Sequence, residues 1–208
     1  MMKAFYDKYK HGLYVVGYMI FYLCFFCILE TFVSTDNAVM TSTWIDDCIP
    51  FNEYFVIPYV LWFVFLFCGF CYVIFFDMSG FKRTCFYLFT GMTTCLIIYA
   101  IYPTAQNLRP VLTNDNIFQQ LVSFIYSVDT STNVCPSIHV YNAVMLAVSL
   151  IKCDSIKNKQ WIKIGLIVLA SLISLSTVMI KQHAFLDIVF ALILCVIIYA
   201  IEKWKFDF

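Results

Sequence analysis

Two histidines, a carboxylate and two isolated cations have the types and spacing that phosphoryl chemistry requires. His183 is followed four residues later by Asp187, which places both on one face of a helix. Asp187 falls about one turn into an apolar run, where a carboxylate is costly without a partner. The imidazole of His183 is the natural partner. An aspartate bonded to one ring nitrogen fixes the tautomer and leaves the other nitrogen as nucleophile or base. A purely structural His–Asp pair is the alternative.

The second histidine lies in Pro136-Ser137-Ile138-His139. Proline is favoured at a helix start, and the free N–H groups there form an anion site to which Ser137 adds a hydroxyl. His139, on the first turn, is placed to protonate a leaving oxygen. Arg109, followed by Pro110, carries a guanidinium that can fork onto phosphate oxygens. Lys181 stands two residues before His183. His11, among lysines near the start, is expected to be inert.

These residues need a frame, and composition says which kind. Of 208 residues, 62% are hydrophobic and 12% charged, with a mean hydropathy of +0.85. A soluble domain carries about 25% charged residues. Apolar runs at about 12–33, 54–76, 84–102, 137–152, 164–181 and 183–201 match the roughly 20 residues that cross ~30 Å of hydrocarbon. They are continuous rather than alternating, so helices are expected, not a barrel. The expected fold is an all-α bundle of six transmembrane helices forming one domain over residues 1–208.

Charge sets the orientation. Lys3, Lys8, Lys10, Lys82, Arg83, Lys152, Lys157, Lys159, Lys163, Lys203 and Lys205 all fall on one side of such a bundle. With both termini cytoplasmic, that side is the inside, and Arg109 and Lys181 alone face out. The long segments 34–53 and 103–136 are then outer loops. In the second, Ile117, Phe118, Leu121, Val122, Ile125 and Val128 recur at helical spacing and predict an interfacial helix. Glu30, near the outer end of the first span, is expected to be solvated. Net charge is zero, so no nucleic-acid partner is indicated. Most of the ten cysteines lie in apolar runs and read as packing residues. Cys48 and Cys135 both fall outside and are within reach of pairing.

Arg109-Pro110, Pro136-Ser137-Ile138-His139, and Ser176-Thr177 through His183 to Asp187 resemble, in order and spacing, the three signatures of the type 2 phosphatidic acid phosphatase superfamily. The resemblance covers about residues 100–190. It implies that His183 forms a phosphohistidine, Asp187 orients it, and His139 is the general acid. It also implies that Arg109 and Ser137 bind phosphate, with Ser176 and Thr177 as further candidates, and that no metal or other cofactor takes part. The pattern departs at Tyr102 and Thr177, where the family has lysine and arginine, and at Ile138, where it has glycine. Lys181 is the candidate to replace one missing cation. The stretch from His183 to Ala191 is also similar to the last signature of sphingomyelin and inositol-phosphorylceramide synthases.

Three readings follow. The first is a lipid-phosphate phosphatase of the cell membrane acting at the outer face. The second is a phosphotransferase on the same site, and the third a non-catalytic lipid-binding or transport protein.

Overall fold

The computed structural model describes residues 9–32, 38–113 and 115–205. Lys3, Lys8 and the expected end of the first span at residue 33 lie outside them. Among the described residues eight α-helices account for most of the chain: α1 (Leu13–Phe32), α2 (Trp44–Cys48), α3 (Val56–Phe76), α4 (Met78–Ile101), α5 (Ile117–Val128), α6 (Ile138–Ile151), α7 (Gln160–Met179) and α8 (Phe185–Lys205). A two-residue parallel pair, β1 (Val39–Met40) with β2 (Thr104–Ala105), ties the two long loops together.

Among the described residues five helices, α1, α3, α4, α7 and α8, are long and apolar enough to cross a membrane. Their outward faces carry large apolar side chains, among them Phe67 at 71% exposure and Val196 at 68%. A surface of that kind needs an apolar solvent. The remaining apolar run is α6, whose 14 residues extend only about 21 Å. It packs against α3, α4, α7 and α8, and ten of its residues are buried. Helix α6 is therefore the axis around which α3, α4, α7 and α8 are arranged.

The α4–α6 approach is close because Gly91 leaves room for an aromatic ring. A Cβ there would lie 1.9 Å from Tyr141 Cζ, and the Tyr141 hydroxyl donates to the Tyr87 carbonyl at 2.8 Å.

The helix ends sort into two groups. At one end Lys152, closing α6, pairs with Glu202 of α8 at 3.0 Å and donates to Tyr87 of α4. His11, just before α1, lies 3.3 Å from the Ile74 carbonyl of α3. The histidine site lies at the opposite end, where α6 and α8 begin.

Several expectations are corrected here. Lys82 and Arg83 are not in a loop between spans. Asp77 alone joins α3 to α4, and its carboxylate accepts the Gly80 N–H, starting the new helix before the cations are reached. Arg83 is 4% exposed and donates to the Ser149 carbonyl. Cys48 and Cys135 do not pair; both are free thiols, one exposed and one buried. Glu30, half-buried, accepts hydrogen bonds from Thr130 and Asn133 of the second long loop besides meeting solvent. A helix does form at 117–128, with Val122 and Ile125 buried against Val56, Tyr59 and Ile180.

Candidate active site

Helix α7 stops at Met179 and α8 starts at Phe185, so Lys181 and His183 sit in a tight turn. The turn is held by backbone bonds. Gln182 and His183 both donate their N–H to the Thr177 carbonyl, at 2.9 and 3.0 Å, and Lys181 takes a left-handed φ of 54°.

Asp187 lies in the first turn of α8 and is completely buried. Its Oδ2 is 3.3 Å from His183 Nδ1 and accepts the Ala184 N–H at 2.8 Å. One oxygen thus serves two purposes, since it closes the start of the helix and orients the ring. Nε2 is the ring nitrogen that this contact leaves uninvolved. The other oxygen, Oδ1, is buried without a hydrogen-bond partner. Burial and the facing Asp187 push the Cys135 thiol up to about 12.

The second signature is fastened to the third through the backbone, as Ser137 N–H donates to the Asp187 carbonyl at 3.1 Å. The Ser137 side chain is the N-cap of α6, accepting from Val140. The segment leading into it is fixed by Thr104, whose hydroxyl accepts the N–H groups of Val134 and Cys135. These bonds present His139 toward His183, with ring centroids 5.6 Å apart. Tyr59 and Trp62 of α3 back the His139 ring at 4.7 and 4.4 Å.

Both histidines line a cavity of about 530 Å³ that runs from the end where α6 and α8 begin down between α1, α3, α4 and α6. Its deeper wall is apolar, built from residues such as Met19, Phe26, Leu66 and Phe70. A site with polar groups at one end and an apolar shaft suits an amphiphile of drug size or larger.

The other predicted residues divide. Arg109 borders the cavity indirectly. It donates to the Asp129 carbonyl at 2.6 Å, to Gln182 Oε1 at 3.0 Å and to the Tyr126 carbonyl at 3.1 Å, with its guanidinium over the Tyr126 ring. Asp129 and Gln182 line the cavity themselves, and the Arg109 Nε is buried without a partner. Burial works against the charge and lowers its pKa. Lys181 faces elsewhere, with its ammonium donating to the carbonyls of Asp46 and Ile49. The hydroxyls of Ser176 and Thr177 are spent on carbonyls of their own helix, Ile173 and Ser174. Tyr102, at the family's lysine position, is 56% exposed at the end of α4.

The structure adds residues that the sequence did not single out. Asp46 is 1% exposed and accepts the Phe185 N–H, capping α8 from the short helix α2, 139 residues away. Gln182 couples Arg109 to Asp129. A glutamine beside a candidate histidine was a weak signal; Asp46 gave none.

The chain is of the phosphatase and phosphotransferase class, an all-helical bundle of membrane type. The chain belongs to the PAP2 superfamily, whose family model matches residues 83–207. Neither a curated protein nor a solved structure matches it.

Proposed function

We propose that this chain is a six-span enzyme of the cell membrane that hydrolyses lipid phosphates at its outer face through a phosphohistidine. The reading rests chiefly on the two histidines facing each other at the polar end of a lipid-sized cavity. Six spans follow if α6, though short, crosses as the buried axis of the bundle, and α5 then lies in the outer interface. Lysine asymmetry puts the site end outside.

In this scheme Asp187 holds the His183 Nδ1–H tautomer and Nε2 attacks phosphorus. The bond from phosphorus to the lipid oxygen breaks, and His139 gives its proton to the departing alkoxide. Water then attacks the phosphohistidine and returns a proton to His139, releasing inorganic phosphate. Arg109 supplies positive charge beside the phosphate, and the open N–H groups at the start of α6 complete the cradle.

A head-group transfer, in which a lipid alcohol replaces water in the second step, is the second reading. The observations favouring it are Thr177 in place of the family's arginine and the stretch from His183 to Ala191. Purified protein incubated with ³²P-labelled lipid phosphate, with and without a diacylglycerol whose acyl chains differ from the donor's, decides between them. Hydrolysis releases free phosphate in both cases. Transfer yields a new labelled lipid only with acceptor, and no product in either case refutes both.

A further inference from the structure

Two polar side chains of the cavity are unexplained by the phosphate chemistry. Asn142 follows His139 by three residues on α6, so it shares that face one turn deeper. It lines the cavity and is completely buried, and both Oδ1 and Nδ2 lack a hydrogen-bond partner. Trp62, whose ring backs His139 at 4.4 Å, also lines the cavity, and its buried Nε1 is likewise unpartnered. Buried donors and acceptors are almost always paired. Two orphans lining one cavity mark a place where a ligand completes the bonding.

Building on the phosphatase reading, we propose that Asn142 and Trp62 form a second recognition point that binds the acyl carbonyl of the lipid backbone. The depth fits, because three helical residues rise about 4.5 Å, a span comparable to that from a lipid's phosphate to its first ester or amide. The polarity fits as well. The indole N–H only donates and the asparagine Nδ2 donates, so the ligand must offer an acceptor. Asn142 Oδ1 remains to accept, and an amide N–H satisfies it where an ester does not. A prenyl or plain alkyl phosphate satisfies none of the three atoms. Asn142 and Trp62 are thus specificity residues, placed to touch the substrate but not its reacting bond.

The test compares turnover of phosphatidate (ester), ceramide 1-phosphate (amide) and a diether glycerol phosphate of equal bulk without carbonyls. Wild type is expected to favour both acylated lipids over the diether by about tenfold or more, as loss of one or two hydrogen bonds implies. An advantage of amide over ester assigns Asn142 Oδ1. In Asn142→Leu and Trp62→Phe the ratio of acylated to diether turnover falls toward one. Asn142→Leu also melts at or above the wild-type Tm, because it removes an unpaired amide from the interior. Equal use of all three lipids by wild type overturns the proposal, and so does a ratio that survives both substitutions.

Calorimetric binding of the matching non-hydrolysable phosphonates separates the two readings. Ranked binding without turnover refutes the phosphatase and keeps the subsite. Unranked binding refutes the subsite alone.

Discussion

The imidazole rings of His139 and His183 lie 5.6 Å apart, centroid to centroid, although 44 residues separate them in the chain. The spacing leaves room between them for the bond being broken and gives the histidines different roles. Loss of the nucleophile removes the covalent route, so His183→Ala should be inactive on every substrate. Loss of a general acid typically costs about 10²–10⁴-fold, and least with a good leaving group. His139→Ala should therefore recover partly on an aryl phosphate. Acid-labile phosphate trapped on wild type and absent from His183→Ala is the direct check.

Asp187→Asn tests the carboxylate while keeping the shape. The amide oxygen can still accept from Ala184, as Oδ2 does at 2.8 Å, so the start of α8 should hold and the Tm should change little. The imidazolium loses its charged acceptor, and kcat should fall by about 10³-fold or more. Near-normal kcat in this variant would reduce the pair to a structural one.

Arg109 and Lys181 are predicted to separate by readout. Arg109→Ala should abolish turnover, and Arg109→Lys should not rescue it, because lysine cannot reproduce the fork onto Asp129, Gln182 and phosphate. Lys181→Ala leaves the carbonyls of Asp46 and Ile49 unpaired, costing about 1–3 kcal/mol. Its signature should be a Tm lowered by several degrees, with KM for an aryl phosphate unaffected. A raised KM at constant Tm would return Lys181 to the phosphate.

Thiol chemistry checks sidedness. In a variant keeping only Cys48 and Cys135, an impermeant maleimide applied outside at pH 8 should label the exposed Cys48. Cys135 should resist it, being buried and, with its thiol pushed up to about 12, protonated at that pH. A cysteine placed at Lys157 should label only after permeabilisation. Labelling of both Cys48 and position 157 from outside would sink the six-span arrangement.

The sequence by itself determined the helical membrane class, because continuous apolar runs and a low charge content leave an α-bundle as the plausible solution. It also determined the local geometry of the site wherever that geometry is helical. The four-residue step from His183 to Asp187 brings their side chains to 3.3 Å although His183 lies in the turn before α8 and not in the helix itself, and the Pro-Ser pair before His139 starts α6 through the Ser137 N-cap. It misjudged helix ends governed by caps, as at Asp77, where one carboxylate carries Lys82 and Arg83 into α4. Only the tertiary structure decided which polar groups remain available to a ligand. Lys181, Ser176 and Thr177 have the right types, but their hydrogen bonds go to carbonyls brought to them by the fold. Asn142 and Trp62 look like ordinary span residues in sequence and become conspicuous only when the packed bundle leaves them unpaired. Hydrogen bonding saturates, so a side chain's chemistry is read from its type but its availability depends on every neighbour the fold supplies.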